Sequence, residues 1–203
     1  MALDYKEFKT LIIKGSEFPD DPFRYEPIKL SKHIISKYLP ALDQVLPNGP
    51  KGLKLLVTIM ANTEGFTPGS RSYRNNNPGN IGNTDDGKNK KLATLEEGIN
   101  LQVKHVKDMA EGKKKTFPIG KEVTLPPYYS REIAANAKNY RAKSGWTPGY
   151  KFKVTGQLDQ FVKIYAVAAR VNNAYLNNII SYYKDNGIAI KPESKIQDII
   201  KLD

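Results

Sequence analysis

The stretch that most constrains the fold is "KGLKLLVTIMANTEG", residues 51–65, which has the pattern of a buried helix. Its apolar side chains recur at the spacing of one helix face, namely at Leu53, Leu56, Val57 and Met60. Gly65 predicts the end of this helix, because glycine adopts the left-handed conformation without strain. Extending the apolar stripe by one turn places Glu64 on the same face, in the last turn of the helix.

The rest of the chain reads mostly as helices joined by connectors. Helices are predicted over residues 4–15, 31–46, 94–112, 128–143, 157–171 and 172–187, with a short one near the end of the chain. Ser31 predicts a cap for the second of these, and Pro40 predicts a kink or split within it. Thr94 and Glu97 have the spacing of a capping box. Residues 66–93 show no clear alternation of apolar and polar side chains. Residues 144–156 are predicted to form a loop that contains at most a short strand.

Composition limits the classes of function. The 203 residues carry a formal net charge of +11 and no cysteine. Such a surplus favours a polyanionic partner, which could be nucleic acid, an anionic cell-wall polymer or anionic lipid. The absence of cysteine excludes disulfides and a cysteine nucleophile. With His33 and His105 as the only histidines, neither a metal site nor a cofactor is predicted.

The sequence contains no apolar run of membrane-spanning length, so no membrane span is predicted. The first residues mix charges with apolar side chains and lack the apolar core of a secretory signal. If the protein acts at a cell wall, we expect it to reach the wall by another route or by lysis.

Glu64 is the first candidate for chemistry. A carboxyl group on a buried face is desolvated, and the negative end of the helix dipole lies beside it. Both effects favour the protonated acid, which is the form that a glycosidase uses to donate a proton to a leaving oxygen. The alternative is an exposed glutamate at a helix end, or one that is paired with Arg71 or Arg74.

The segment after Glu64, "GFTPGSRSYRNNNPGNIGN", is rich in asparagine and glycine. Side-chain amides are suitable partners for sugar hydroxyl and acetamido groups, which makes Asn76, Asn77 and Asn80 candidate substrate-binding residues. Gly79 would allow the backbone to approach a ligand closely. The alternative is a surface turn in which these residues serve the backbone alone.

Four pieces of the sequence occur in the order of a known pattern: "NTEGF", "NNNPGNIG", "LATLEEGINLQVKHV" and "RVNNAYLNNIISYYKD". Together they resemble the lysozyme-like superfamily of peptidoglycan hydrolases, most closely its bacterial and phage N-acetylglucosaminidase group. The resemblance covers roughly residues 50–186. One family tyrosine falls on Ala169, where Tyr165 lies one turn earlier as a replacement, and Tyr175 matches the family's second tyrosine.

The resemblance implies a mainly α, lysozyme-like domain in which a small irregular or β lobe, formed by residues 66–93, flanks a glycan cleft. It implies a helical extension at 1–48, a catalytic domain at 49–190 and a short helix or tail at 191–203. Glu64 would be the general acid that cleaves the β-1,4 glycan of bacterial peptidoglycan. Hydrolysis and transglycosylation both stay open.

A two-acid mechanism needs a second carboxylate about 5 to 9.5 Å from the first. Asp85 and Asp86, beyond the asparagine-rich loop, are the candidates, although "TDDG" is also a plain turn. Glu96 and Glu97 are weaker candidates, because the first turn of a helix explains both. A lone Glu64 would suffice if the substrate's own N-acetyl group or 6-hydroxyl group attacks.

Aromatic side chains supply candidates for stacking on sugar rings. They are Tyr73, Trp146, Tyr150, Tyr165 and Tyr175. Trp146 lies in a predicted loop and is the better candidate for a cleft wall. Tyr165 and Tyr175 follow helix patterns that are equally typical of a core.

Two other functions remain open. A glycan-binding or virion-associated structural protein of the same fold would explain the missing family tyrosine, and its partners would include phage virion proteins. A nucleic-acid binder would explain the positive charge, but no recognised nucleic-acid motif is present. We therefore expect peptidoglycan, and with it anionic wall polymers, as the partner, at the bacterial wall or in a phage virion.

Overall fold

The computed structural model describes residues 28–83, 89–126, 146–170 and 173–203. Helices dominate these residues, which confirms the predicted mainly α class. In chain order the elements are a π-helical turn at Ile34–Tyr38, α1 at Leu39–Val45, α2 at Lys51–Thr63, α3 at Arg71–Arg74, α4 at Leu95–Ala110, β1 at Glu122–Thr124, β2 at Lys151–Lys153, α5 at Leu158–Tyr165, a 3₁₀ turn at Val167–Arg170, α6 at Ala174–Asp185 and α7 at Ile196–Ile199. The helices predicted at 4–15 and 128–143 lie outside the described residues.

Helix α2 is buried along most of its length and packs against α4 and α6. The four residues of the predicted stripe are all in the core: Leu53, Leu56, Val57 and Met60. The amide of Phe66 donates to the carbonyl of Ala61, and the amide of Gly65 donates to that of Asn62, each at 3.1 Å. With Gly65 at φ 68°, these bonds form a Schellman motif. The predicted core helix and its end are therefore confirmed.

The segment before α2 is helical but changes its helical type. Ser31 Oγ accepts a hydrogen bond from the amide of Ile34 at 3.3 Å, which confirms the predicted cap. Directly before Pro40, where a kink or split was predicted, the helix passes through a π-helical turn, whose last bond runs from the amide of Leu39 to the carbonyl of Ile34. Pro40 then lies in the first turn of α1, where its missing N–H does no harm.

Helix α4 begins at the predicted capping residues. Thr94 Oγ1 accepts from the amide of Glu97 at 3.2 Å, and Glu97 Oε2 accepts from the amide of Ala93 at 3.0 Å. The return bond thus reaches one residue further back than in the usual capping box. Gly98, in the first turn, lies against the loop before it: a Cβ on Gly98 would be 1.7 Å from the carbonyl oxygen of Asn76. This contact fixes the loop against α4.

The antiparallel sheet of β1 and β2 pairs Val123 with Phe152. The strand at 151–153 agrees with the predicted short strand, whereas β1 was expected to be a connector. The predicted lobe at 66–93 was left as irregular or β, and its described residues, 66–83 and 89–93, form α3, turns and irregular backbone without a strand, in agreement with the irregular alternative. Strands of three residues are too short to show alternation, so only their pairing identifies them.

The helix predicted at 157–171 ends early, at Tyr165, and Ala166 is extended with φ −117° and ψ 109°. The buried Arg170 provides a partner for this helix end. Its Nε donates to the carbonyl of Lys163 at 2.8 Å, one of the last carbonyls of the helix, which have no partner within it. Asn173 holds the N-cap position of α6, but its side chain makes no capping bond.

Residues from both ends of the described chain join the core around α2. Ile34, Leu42 and Ile196 belong to one buried cluster with it, and the amide of Gly52 donates to the carbonyl of Leu202 at 2.7 Å. The described parts of 1–48 and 191–203 thus share a core with the predicted catalytic domain. None of the described helices is long and apolar enough to cross a membrane.

Candidate active site

Glu64 is the residue that ends α2, with φ −73° and ψ 0°. The Schellman bonds turn the chain away immediately after it, so its side chain is half-buried between the end of α2 and the following loop. Thr63 before it and Gly65 after it are both buried. The main chain on both sides therefore holds the base of the Glu64 side chain firmly.

The two oxygens of the Glu64 carboxyl group have separate donors. The side-chain amide of Asn80 donates to Oε2 at 3.3 Å, and the hydroxyl of Tyr175 donates to Oε1 at 3.3 Å. One donor comes from the loop and the other from α6. The carboxyl group is thus oriented by two parts of the chain that are far apart in the sequence.

Asn80 is held in turn by its own neighbours. Asn80 Oδ1 accepts from the side-chain Nδ2 of Asn83 at 2.7 Å. Asn83 Oδ1 in turn accepts from the backbone amide of Lys90 at 2.7 Å. Asn80 has φ 52°, a left-handed conformation that asparagine tolerates better than most residues. We call the chain of bonds from Lys90 through Asn83 and Asn80 to Glu64 the amide relay.

The other two predicted asparagines build the loop itself. The Asn76 amide donates to the carbonyls of Leu92 and Ala93. Asn77 is 0% exposed, and its amide donates to the carbonyls of Ile81 and Lys90 at 2.8 and 3.1 Å. These bonds satisfy buried polar groups. The structure thus places Asn76 and Asn77 in the scaffold of the loop, with only Asn80 touching Glu64.

Tyr165 from α5 and Tyr175 from α6 lie beside Glu64, with their ring centroids 6.4 Å apart. The hydroxyl of Tyr165 donates to the carbonyl of Gly79 at 2.5 Å. Burial raises the pKa of both phenols well above 10.0, and the charge of Glu64 raises each further. Both hydroxyls consequently stay protonated and act as donors. Because Tyr175 is only 3% exposed, it contributes its hydroxyl here rather than an open ring face.

Gly79 packs closely between Tyr165 and Gln102 of α4. A Cβ at this position would be 2.7 Å from Gln102 Cγ and 3.0 Å from Tyr165 Oη, so only glycine fits. Gln102 is fully buried, accepts from the Tyr38 hydroxyl at 2.9 Å and donates to the carbonyl of Val57 at 3.0 Å. Gly79 thus serves close packing within the protein.

His105 lies behind Tyr165, with its ring 5.8 Å from the phenol ring in an edge-to-face arrangement. Burial, together with a smaller effect of Lys114, lowers the pKa of His105 to about 4, while Asp108 opposes the shift. His105 is therefore neutral at physiological pH. It supports Tyr165 without adding a charge to the site.

The remaining predicted aromatics lie in other clusters. Tyr73 packs on Phe66 at 5.1 Å and on His33 at 6.1 Å between ring centroids. Trp146 packs at 4.8 Å from Phe152 of β2, and Tyr150 stacks on that same phenylalanine at 5.9 Å. The ammonium of Lys163 lies 4.9 Å from the centre of the Trp146 ring. These contacts assign Tyr73 to the core edge near α2, and Trp146 and Tyr150 to the two-stranded sheet.

The predicted second carboxylates, Asp85 and Asp86, lie outside the described residues. Within the described ranges, no group of three or more histidine and acidic side chains is arranged to hold a metal ion.

Sequence reasoning missed three residues of this site, Asn83, Gln102 and His105. Two had a readable signal: Asn83 closes the same asparagine-rich stretch, three residues after Asn80, and Gln102 is a polar residue on the apolar face of α4. His105 had no such signal, because its partner Tyr165 comes from another helix.

No family model, no curated protein and no solved structure shows a significant match to this chain.

Proposed function

We propose that this protein is a glycoside hydrolase that cleaves the β-1,4 glycan of bacterial peptidoglycan, with Glu64 as the general acid. The observation that carries the proposal is the setting of the Glu64 carboxyl group. The group lies half-buried at the end of a buried helix, where, among the described residues, Asn80 donates to Oε2 and Tyr175 donates to Oε1. A general acid has to be held in one orientation toward the oxygen that it protonates.

The surroundings of Glu64 act on its proton in opposite directions. Partial burial and the negative end of α2 favour the protonated acid. The Asn80 amide and the Tyr175 hydroxyl, as donors, favour the carboxylate. An acid that gives up its proton in one step and regains it later benefits from such balanced influences. When one oxygen carries the proton, the other still accepts from its own donor.

The second half of the reaction has three routes. Asp85 or Asp86 would act as base or nucleophile if the chain brings one of them to the opposite face of the sugar. Otherwise the N-acetyl group of the substrate attacks the anomeric carbon, or the sugar's own 6-hydroxyl does so and gives an anhydro product. In each route Glu64 protonates the leaving oxygen, so the proposal does not depend on which route is used.

The net charge of +11 supports a wall substrate, because anionic polymers accompany peptidoglycan and attract a basic protein. We place the activity at the bacterial cell wall, with delivery in a phage virion as one route to it. The electrostatic attraction should weaken as salt screens the charges.

The test is digestion of purified peptidoglycan, followed by mass analysis of the soluble products. A reducing N-acetylglucosamine end, a reducing N-acetylmuramic acid end or an anhydro end would each support cleavage, and would name the bond and the route. Absence of soluble glycan fragments over a range of pH and salt would contradict the proposal.

A second function has one observation in its favour. The two donors on Glu64 also suit a permanently ionised carboxylate that grips a sugar hydroxyl, as in a glycan-binding structural protein. Sedimentation of the protein with intact peptidoglycan, without release of fragments, would favour that function over hydrolysis. A salt-dependent shift of DNA without any binding to peptidoglycan would favour a nucleic-acid partner instead.

A further inference from the structure

We infer that Asn83 is a positioning residue, which fixes the direction of the amide relay so that Asn80 presents its N–H, and not its carbonyl, to Glu64. The inference rests on the proposed function only in naming Glu64 as the general acid. Asn83 itself does not touch Glu64. Its effect passes through Asn80, the residue that bonds both Asn83 and Glu64.

The orientation of the two side-chain amides in the relay follows from the bond that Lys90 makes. The backbone amide of Lys90 can only donate, so the side-chain atom of Asn83 that it meets must be the carbonyl oxygen. The Asn83 side-chain N–H₂ group is then turned toward Asn80, where it meets the Asn80 carbonyl at 2.7 Å. That leaves the Asn80 N–H₂ group for Glu64 Oε2. Each amide has two possible orientations, and one backbone N–H selects between them for both.

The backbone supports the same arrangement. Asn80 and Asn83 are also joined by a main-chain bond, from the amide of Asn83 to the carbonyl of Asn80 at 3.3 Å. Asn80 is held at φ 52°, and its own amide donates to the carbonyl of Asn77 at 2.9 Å. The relay therefore runs along a fixed turn and delivers one N–H to one carboxyl oxygen.

The consequence is a defined influence on the proton of Glu64. A donor to a carboxyl oxygen stabilises the ionised form, whereas a carbonyl in the same place would stabilise the protonated form. Loss of the relay should therefore make Glu64 hold its proton to a higher pH. Among the described residues, the titratable groups that interact with the carboxyl group include the phenols of Tyr175 from α6 and Tyr165 from α5, both of which stay neutral. His105 of α4 lies behind Tyr165 and titrates near pH 4.

The experiment is a pH titration of the Glu64 carboxyl carbon by NMR, with ¹³C-labelled glutamate and the resonance assigned from Glu64→Gln. The carboxyl label separates Glu64 from His105, which titrates in a similar range. Asn83→Ala removes the residue that fixes the direction, and Asn80→Gly removes the donor at a φ that glycine adopts freely. We expect both variants to titrate Glu64 about one pH unit higher than the wild type.

Asn76→Gly is the matched control, because Asn76 lies in the same loop at φ 49° and its amide bonds only the carbonyls of Leu92 and Ala93. It should weaken the loop without moving the Glu64 titration. Folding of each variant is checked by circular dichroism. A Glu64 titration at the wild-type pH in folded Asn80→Gly and Asn83→Ala, or an equal shift in Asn76→Gly, would overturn the inference.

A second readout follows once turnover is measured. The basic limb of the pH profile of kcat/KM should move upward by the same amount in both relay variants, because a general acid has to be protonated to act. The NMR titration needs no turnover. Failure of peptidoglycan cleavage would therefore count against the proposed function alone, and an unmoved titration against the relay alone.

Discussion

The hydroxyl of Tyr175 lies 3.3 Å from Oε1 of Glu64, although 111 residues of chain separate them. The packing of α2 against α6 makes this contact, since Glu64 ends the one helix and Tyr175 begins the other. The same burial that keeps Tyr175 protonated also excludes water from its bond to the carboxyl group. A buried core residue, Tyr175, therefore contacts the candidate general acid, Glu64, directly.

Tyr175→Phe should lower kcat/KM on peptidoglycan about tenfold or more, because a hydrogen bond to a charged group is worth about 1.5–3 kcal/mol. The matched control is Tyr183→Phe on the same helix, whose lost hydroxyl donates to the carbonyl of Gly52. That control should lower the free energy of unfolding by about 1 kcal/mol and leave turnover close to the wild-type value. Equal losses of turnover in the two variants would mean that Tyr175 acts only through stability.

Gly98→Ala should destabilise the protein by more than about 2 kcal/mol, although the same change in an open helix stabilises by about 1 kcal/mol. The added Cβ would lie 1.7 Å from the Asn76 carbonyl oxygen, so α4 and the loop would have to separate. Urea unfolding followed by circular dichroism measures the difference. Asn100→Ala, at an exposed position of the same helix, should be neutral or stabilising. A neutral Gly98→Ala would contradict the described contact.

The free energy of unfolding should fall as the pH drops from about 6.5 to about 4, because His105 stays neutral in the folded protein over this range. Its pKa is lowered to about 4 on folding, so only the unfolded chain takes up a proton there, and stability present above pH 6.5 is lost on acidification. The expected contribution is on the order of 2 kcal/mol.

Denaturant titrations at several pH values measure the His105 contribution. His105→Gln should reduce the dependence of stability on pH between 4 and 6.5, whereas His33→Gln, which replaces the only other histidine, should retain it. Identical pH dependence in the wild type and His105→Gln would show that His105 is not the group responsible.

Local rules predicted the parts of the fold that depend on neighbouring residues. The apolar stripe and Gly65 located α2 with its end, and Thr94 located the start of α4. The placement of Glu64 on the helix face followed from the same periodicity. Its contact with Tyr175 was not predicted, because no local rule relates residues so far apart in the chain.

Elements that depend on distant partners were predicted less well. Strand β1 exists because it pairs with β2, and the carbonyl of Lys163 near the end of α5 accepts from the side chain of Arg170, a bond that no local pattern predicts. Composition alone marked the asparagines as ligands for a sugar. The structure divides their roles, because Asn77 is buried within the loop and Asn80 bonds Glu64.

The most direct test of the central claim is the release of soluble glycan fragments from purified peptidoglycan by the wild type, Glu64→Gln and Glu193→Gln. Glutamine keeps the size of Glu64 and cannot donate a carboxylic proton, while Glu193 is exposed and serves as the matched control. We predict that Glu64→Gln remains folded and loses at least about 99% of the activity, and that Glu193→Gln releases fragments at the wild-type rate. Full turnover by folded Glu64→Gln would contradict the assignment of Glu64 as the general acid.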